Sequence, residues 1–307
     1  MQSIVECYKK VSKYYFKFIN LQETKINKFK NKSKMLKSYL IPICFWIVKK
    51  SNKKSPLIIG LAGGQGTGKT TIASIISLIL KKYFKLKVFK ISIDDFYKTR
   101  NERKKISKSI HPLLMIRGVP GTHDYKIIYE FFKKIKNKKI AKFRLPKFDK
   151  SKDERYNKKF WYKIDSKPDV IIFEGWCVGA KSQKNSKLIK SINSLEKISD
   201  QNFVWRKYVN LQLKKNYKNL FRQIDEIIYL KANNFKMLQK WRIKQEKTLW
   251  LKSKNKRSLR IMNRGDIINF MQTYQRITQN MFKDAPKYAS IVMKLNSSHQ
   301  INSIKFR

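Results

Sequence analysis

The chain has 307 residues, 42% of them hydrophobic and 13% aromatic, which is enough to bury a sizeable core and too apolar for a disordered chain. Its net charge of +52 comes from 72 basic and 20 acidic residues. Most of the basic residues are lysine, spread along the chain without a zinc-finger or RNA-binding aromatic motif. That spread fits lysine-rich codon bias in an AT-rich genome better than a specific nucleic-acid interface.

The three cysteines, Cys7, Cys44 and Cys177, lack CxxC or Cys/His spacing, so a reduced protein without structural zinc is expected. Residues 1–50 read as an N-terminal helical extension, with Val5, Tyr8, Tyr15, Phe18 and Ile19 at three- and four-residue steps. The run "YLIPICFWIV", Tyr39 to Val48, contains a proline and is too short to span a bilayer. The N-terminal sequence has neither a signal-peptide nor a transit-peptide pattern. A cytoplasmic protein with no membrane partner is expected. "KKSNKKSP", Lys49 to Pro56, reads as a polar linker to a second unit, residues 57–307.

In that unit short apolar strands alternate with helices. "LIIGLA" is a buried strand and "TTIASIISLILKKYF" an amphipathic helix. "KVFKISI", "DVIIFEG", "IDEIIYLKA" and "YASIVMKL" supply four more strands, the "DVIIFEG" strand apolar enough to be central. The pattern predicts an α/β fold: an open parallel sheet of about five strands with helices on both faces.

"GLAGGQGTGKTT", Gly60 to Thr71, follows the first strand and opens the first helix. Gly63, Gly64, Gln65, Gly66, Thr67, Gly68, Lys69, Thr70 and Thr71 make a P-loop. Its backbone N–H groups and the helix N-terminus suit nucleotide phosphates. Lys69 is expected to reach the β- and γ-phosphates, and Thr70 to ligate Mg²⁺. ATP and Mg²⁺ are the implied cofactors. Glu174 ends the "VIIFEG" strand where a second, Walker B-type metal carboxylate belongs. Asp94 and Asp95 follow the second strand in "ISIDDFYKTR". Ligands of open parallel sheets bind at that edge, so Asp94 is placed to take the proton of an attacking hydroxyl. Asp95 allows two readings, a helix cap or a substrate contact.

"HPLLMIRGVPGTHD", His111 to Asp124, and "RLPKFDKSKDER", Arg144 to Arg155, allow either substrate contacts or structural turns. In "WRIKQE", Arg242 is placed either to close over the γ-phosphate or to pair with Glu246 one turn on. Ile267, Ile268, Phe270, Met271, Tyr274 and Ile277 read as core positions.

These motifs, in this order, resemble D-glycerate 3-kinase of the plant and cyanobacterial type and related P-loop kinases, over about Leu57 to Leu295. The string "RGVPGTHD" is the most specific part. The resemblance also extends to uridine kinase, phosphoribulokinase and pantothenate kinase. It implies a P-loop kinase fold and transfer of the ATP γ-phosphoryl group to the 3-hydroxyl of D-glycerate, giving 3-phosphoglycerate. It further implies Asp94 as base, Glu174 at the metal and Arg242 on a lid. A small acid acceptor would be bound through Arg117, with Lys150 and Arg155 behind it, and its hydroxyls through His123 and Asp124. Lys98, after "DDFY", and the basic "KTLWLKSKNKRSLR" depart from the pattern. A kinase of another small hydroxylated metabolite and an ATP-driven nucleic-acid-binding protein are the competing readings.

Overall fold

The computed structural model describes residues 2–52, 55–137, 143–252 and 262–307. The strands among them are β1 (Leu57–Gly63), β2 (Val88–Ser92), β3 (Phe143–Leu145), β4 (Phe148–Asp149), β5 (Glu154–Arg155), β6 (Tyr162–Ile164), β7 (Val170–Gly175), β8 (Glu226–Lys231), β9 (Ile291–Leu295) and β10 (Ile301–Phe306). Six of them form one sheet in the order β10-β9-β8-β1-β7-β2. Every neighbouring pair is parallel except β9 and β10. The expected five parallel strands are therefore present. The antiparallel sixth, "INSIKF", carries too little apolar character to stand out, as suits a sheet edge. The fifth expected strand is shorter than "YASIVMKL", because Tyr288 closes the preceding helix.

β1 and β7 are buried along their whole length and read as apolar runs, that of β7 ending at Glu174. Alternate residues feed two cores. Ile59, Leu61 and Ile172 join one cluster, while Ile58, Ala62, Ile171 and Phe173 join the other. Ile267 and Met271 of the helix Arg264–Tyr288 are buried in the first core, Tyr274 and Ile277 in the second.

The first core continues into the N-terminal helices. In the helix Gln2–Gln22, Cys7, Val11, Tyr15 and Ile19 form an i,i+4 stripe that is 0% exposed. It lies against the helix Lys69–Lys82, which follows β1. The expected face differs in part: Val5 is 44% exposed. Aromatic residues on several sides of this helix left its phase open, and packing selects the row that contains the two small residues.

Lys53 and Lys54 of the linker, 138–142 of the lysine-rich stretch after Asn137, and 253–260 of the basic lid stretch lie outside the described residues. Among the described residues no helix is long and apolar enough to cross a membrane, and no three His, Cys, Asp or Glu cluster as metal ligands.

Candidate active site

The sheet register gathers the site. Glu174 lies opposite Leu61 of β1 on one side and Ser92 of β2 on the other. The P-loop leaves β1 at the same edge, and Asp94 lies two residues past the end of β2. Gly66 takes φ +77°, and a Cβ there would lie 3.0 Å from the backbone N of Arg242. Glycine therefore supplies both the turn and the close approach of the helix Phe235–Lys252.

Lys69 Nζ donates to the Gly64 carbonyl at 2.9 Å. Burial lowers its pKa, against the opposing pull of the Glu174 and Asp94 carboxylates. The Thr70 hydroxyl donates to Glu174 Oε1 at 2.9 Å. Two hard oxygen donors brought together at a strand end are of the kind that fits Mg²⁺.

Asp94 accepts from the Tyr97 hydroxyl at 2.8 Å through one oxygen and from Lys150 Nζ at 2.7 Å through the other. Burial alone would raise its pKa, but Lys150 and Tyr97 hold it down at about 2. Asp95, next in sequence, receives only long hydrogen bonds, from Phe148 N at 3.4 Å and Tyr162 Oη at 3.5 Å. Burial pushes it up to about 6. Neighbouring donors thus hold one carboxyl low, and burial raises the next.

The two long loops fold against each other. Arg117 pairs with Asp153, donates to the Lys150 carbonyl at 3.2 Å and lies over the Phe148 ring. Arg103 is 1% exposed and donates to the carbonyls of Lys98, Met115 and Asp153 at 2.7–3.2 Å, with a 2.9 Å ion pair to the Asp153 carboxylate. Arg155 donates to the Tyr97 carbonyl at 2.7 Å and to Asp124 at 3.3 Å. His123 is 0% exposed. Its Nδ1 is 2.7 Å from Tyr217 Oη, its ring stacks on Tyr97, and burial pushes its pKa down to about 4.

The structure thus brings Lys69, Thr70, Glu174, Asp94 and Lys150 together, with Arg117 behind Lys150. It places His123 in the core under the site, not at its surface, and it pairs Arg155 with Asp124 as a brace between loops. Arg242 forms a 2.8 Å ion pair with Glu246, the alternative its spacing allowed, while its backbone abuts the P-loop.

The texture of "RGVPGTHD" has a packing cause. At Gly118, φ is +139° and a Cβ would fall 2.1 Å from Tyr274 Oη. Thr122 Oγ1 accepts from Gly118 N, and the Gly118 carbonyl accepts from Trp176 Nε1. Sequence reasoning missed Arg103, which looks like one more solvated charge in "RNERKKISKS". It assigned no role to Tyr97, although the aromatic of "DFY" was visible.

Beside the P-loop lies a cavity of about 240 Å³, lined by Gly66–Ile72, Trp241 and the turn between β9 and β10. The Trp241 and His299 rings stack there at 4.3 Å and 17°.

A family model described as the phosphoribulokinase/uridine kinase family matches residues 58–200. An uncharacterized kinase of Schizosaccharomyces pombe, mug58, is 30% identical over 227 residues, covering 71% of this chain and 78% of that protein. The chloroplastic D-glycerate 3-kinase of Arabidopsis thaliana is 27% identical over 226 residues, 68% of this chain and 47% of that longer protein. The solved D-glycerate 3-kinase structure from Cryptococcus neoformans shares the fold with a TM-score of 0.71. It does so over 88% of this chain and 97% of its own, at 23% identity.

Proposed function

Since the chain belongs to the phosphoribulokinase/uridine kinase family of P-loop kinases, among relatives of the D-glycerate 3-kinase type, we propose that it phosphorylates the 3-hydroxyl of D-glycerate from ATP. The observation that carries this reading is the pairing of Asp94 with Lys150 opposite the P-loop, with Arg117 close behind. A base and two cations grouped in this way suit an acceptor with a hydroxyl at one end and a carboxylate at the other. The catalytic unit is residues 57–307, with 1–50 as a helical extension, and the enzyme works in the cytoplasm.

Lys69 and the P-loop amides hold the phosphates of ATP. Thr70 and Glu174 hold Mg²⁺, which when bound neutralises phosphate charge. Asp94 orients the acceptor hydroxyl and takes its proton as the hydroxyl oxygen attacks the γ-phosphorus in line and ADP leaves. Arg242, released from Glu246, steadies the charge on the moving phosphoryl group. Arg117 and Lys150 bind the acceptor carboxylate. Asp95 lies beside the acceptor, and Arg155, Asp124 and His123 fix the loops that present these groups. Positioning and charge stabilisation carry the rate.

The test is ADP release with D-glycerate, uridine, pantothenate and ribulose 5-phosphate as acceptors, with the phosphorylated carbon read by ³¹P NMR. Turnover with D-glycerate giving 3-phosphoglycerate is expected. Turnover with another acceptor alone overturns the substrate assignment. ATP hydrolysis stimulated by RNA or DNA instead overturns the kinase reading.

A further inference from the structure

We propose that the segment Asn27–Lys30, between the first two helices, is the outer wall of the donor-nucleotide site, so that nucleotide binding and docking of the N-terminal helices are coupled. This rests on the reading of the P-loop as the ATP site. The cavity beside the P-loop is also lined by Asn27, Lys28, Phe29 and Lys30. Its near side is the loop that takes phosphates. What lies between the loop and this arm is therefore the space for the ribose and base.

Three further observations point to a ligand there. Gln300 lines the cavity, and its side-chain Nε2 is buried without a hydrogen-bond partner, although buried donors are rarely left unpaired. A turn of the Gln300 side chain into the cavity would let an oxygen or ring nitrogen of a nucleoside satisfy it. His299, whose ring stacks on Trp241 in the same wall, is held at φ +64°, a conformation uncommon for a side-chain-bearing residue. The arm itself is preorganised. One oxygen of Glu23 accepts from Phe29 N at 2.7 Å, and its carboxylate pairs with Lys32 Nζ at 3.0 Å. Tyr15 of the buried helix stripe donates to the Lys32 carbonyl at 3.2 Å. The Thr24 and Asn27 backbones exchange hydrogen bonds at 3.0 and 3.1 Å. In a chain with only 20 acidic residues, Glu23 is spent on shaping this turn.

A ligand that touches both the P-loop and the arm stabilises the arrangement in which the two face each other. The first helix is tied to the arm through Tyr15 and Lys32, so it shares that stabilisation.

The experiment compares amide hydrogen exchange of the full chain alone, with ADP, and with inorganic tripolyphosphate, which reaches only the P-loop. ADP is expected to slow exchange over 24–35 and over the first helix several-fold, whereas tripolyphosphate protects 64–72 alone. Phe29→Ala is expected to weaken ADP about tenfold, roughly the loss of one well-packed side-chain contact, and to leave tripolyphosphate affinity unchanged. Protection of 64–72 by ADP without change over 24–35 overturns this proposal and leaves the P-loop reading standing. No protection of either segment by ADP overturns both. Because the exchange measurement uses the unaltered protein, the result does not depend on the variant folding.

Discussion

Lys150 Nζ lies 2.7 Å from Asp94 Oδ2, so the carboxylate proposed as base is neutralised by a cation 56 residues away in sequence. Asp94 raises the pKa of Lys150, and Lys150 lowers that of Asp94 against its burial. An acceptor carboxylate would compete for the same ammonium and free the base as the acceptor arrives. Lys150→Met should leave burial less opposed and raise the Asp94 pKa above about 2. A base must be deprotonated to work, so the acid limb of kcat/KM, which reports the free enzyme, should move to higher pH. The kcat/KM profile from the lowest pH at which the fold holds up to pH 8 checks this, and an unmoved limb counts against Asp94 as the base. The KM for glycerate should also rise.

Removing the carboxylate tests the same group directly. Asp94→Asn should keep ADP affinity near that of the parent and cut turnover by about 10² to 10⁴, the usual range for general-base assistance. Calorimetric ADP binding and single-turnover kinetics separate the two effects. Near-normal turnover would move the role to Asp95.

Asp95 makes a prediction about stability. Its pKa is raised in the folded state to about 6, so the folded protein binds more protons than the unfolded chain between roughly pH 4 and 6. Stability therefore falls as pH rises through that window. Asp95→Asn should raise Tm above pH 6 and give little gain at pH 4. A gain of equal size at both pH values would show that the carboxyl is not perturbed.

Arg103 links three carbonyls and one carboxylate across the two long loops while almost fully buried. Arg103→Met leaves the three carbonyls without this donor and the Asp153 carboxylate with Arg117 alone, and should cost about 3 kcal/mol of stability. It should raise the KM for glycerate more than that for ATP, because the loops it ties carry Arg117 and Lys150. Denaturant unfolding and steady-state kinetics measure the two effects. Equal rises in both KM values would mean a general loss of structure.

The donor half of the site was legible because its determinants are local. The glycines, Lys69 and Thr70 lie in one string between a strand and a helix. Asp94 and Glu174 could be read separately because each follows an apolar run, and parallel pairing brings runs of this kind to one edge. The acceptor half depends on partners that no spacing reveals. Lys150 is expected at the acceptor, and the structure adds a partner for it in Asp94 that no spacing reveals. Arg155 and Asp124 were assigned to the substrate separately and hold each other. The resemblance sets His123 at the acceptor hydroxyls, but its ring is packed between Tyr97 and Tyr217. The phase of the first helix was obscured by aromatic residues on more than one face, and β10 by its mostly polar sequence.

The place of β1 in the sheet bears on how the protein is made. One edge of β1 pairs with β7, from Leu57 opposite Val170 onward, and the other pairs with β8, from Ile59 opposite Glu226. A ribosome thus produces β1 early, but the strand waits for synthesis to pass Lys231 before both its edges are covered. Until then an entirely apolar strand has an open edge, a recognised route to misassembly. A truncated chain ending near residue 200, where the family match stops, would keep the P-loop motif and still lack the strand that shields it. The smallest piece that carries the phosphate-binding residues is therefore not the smallest piece that can fold around them.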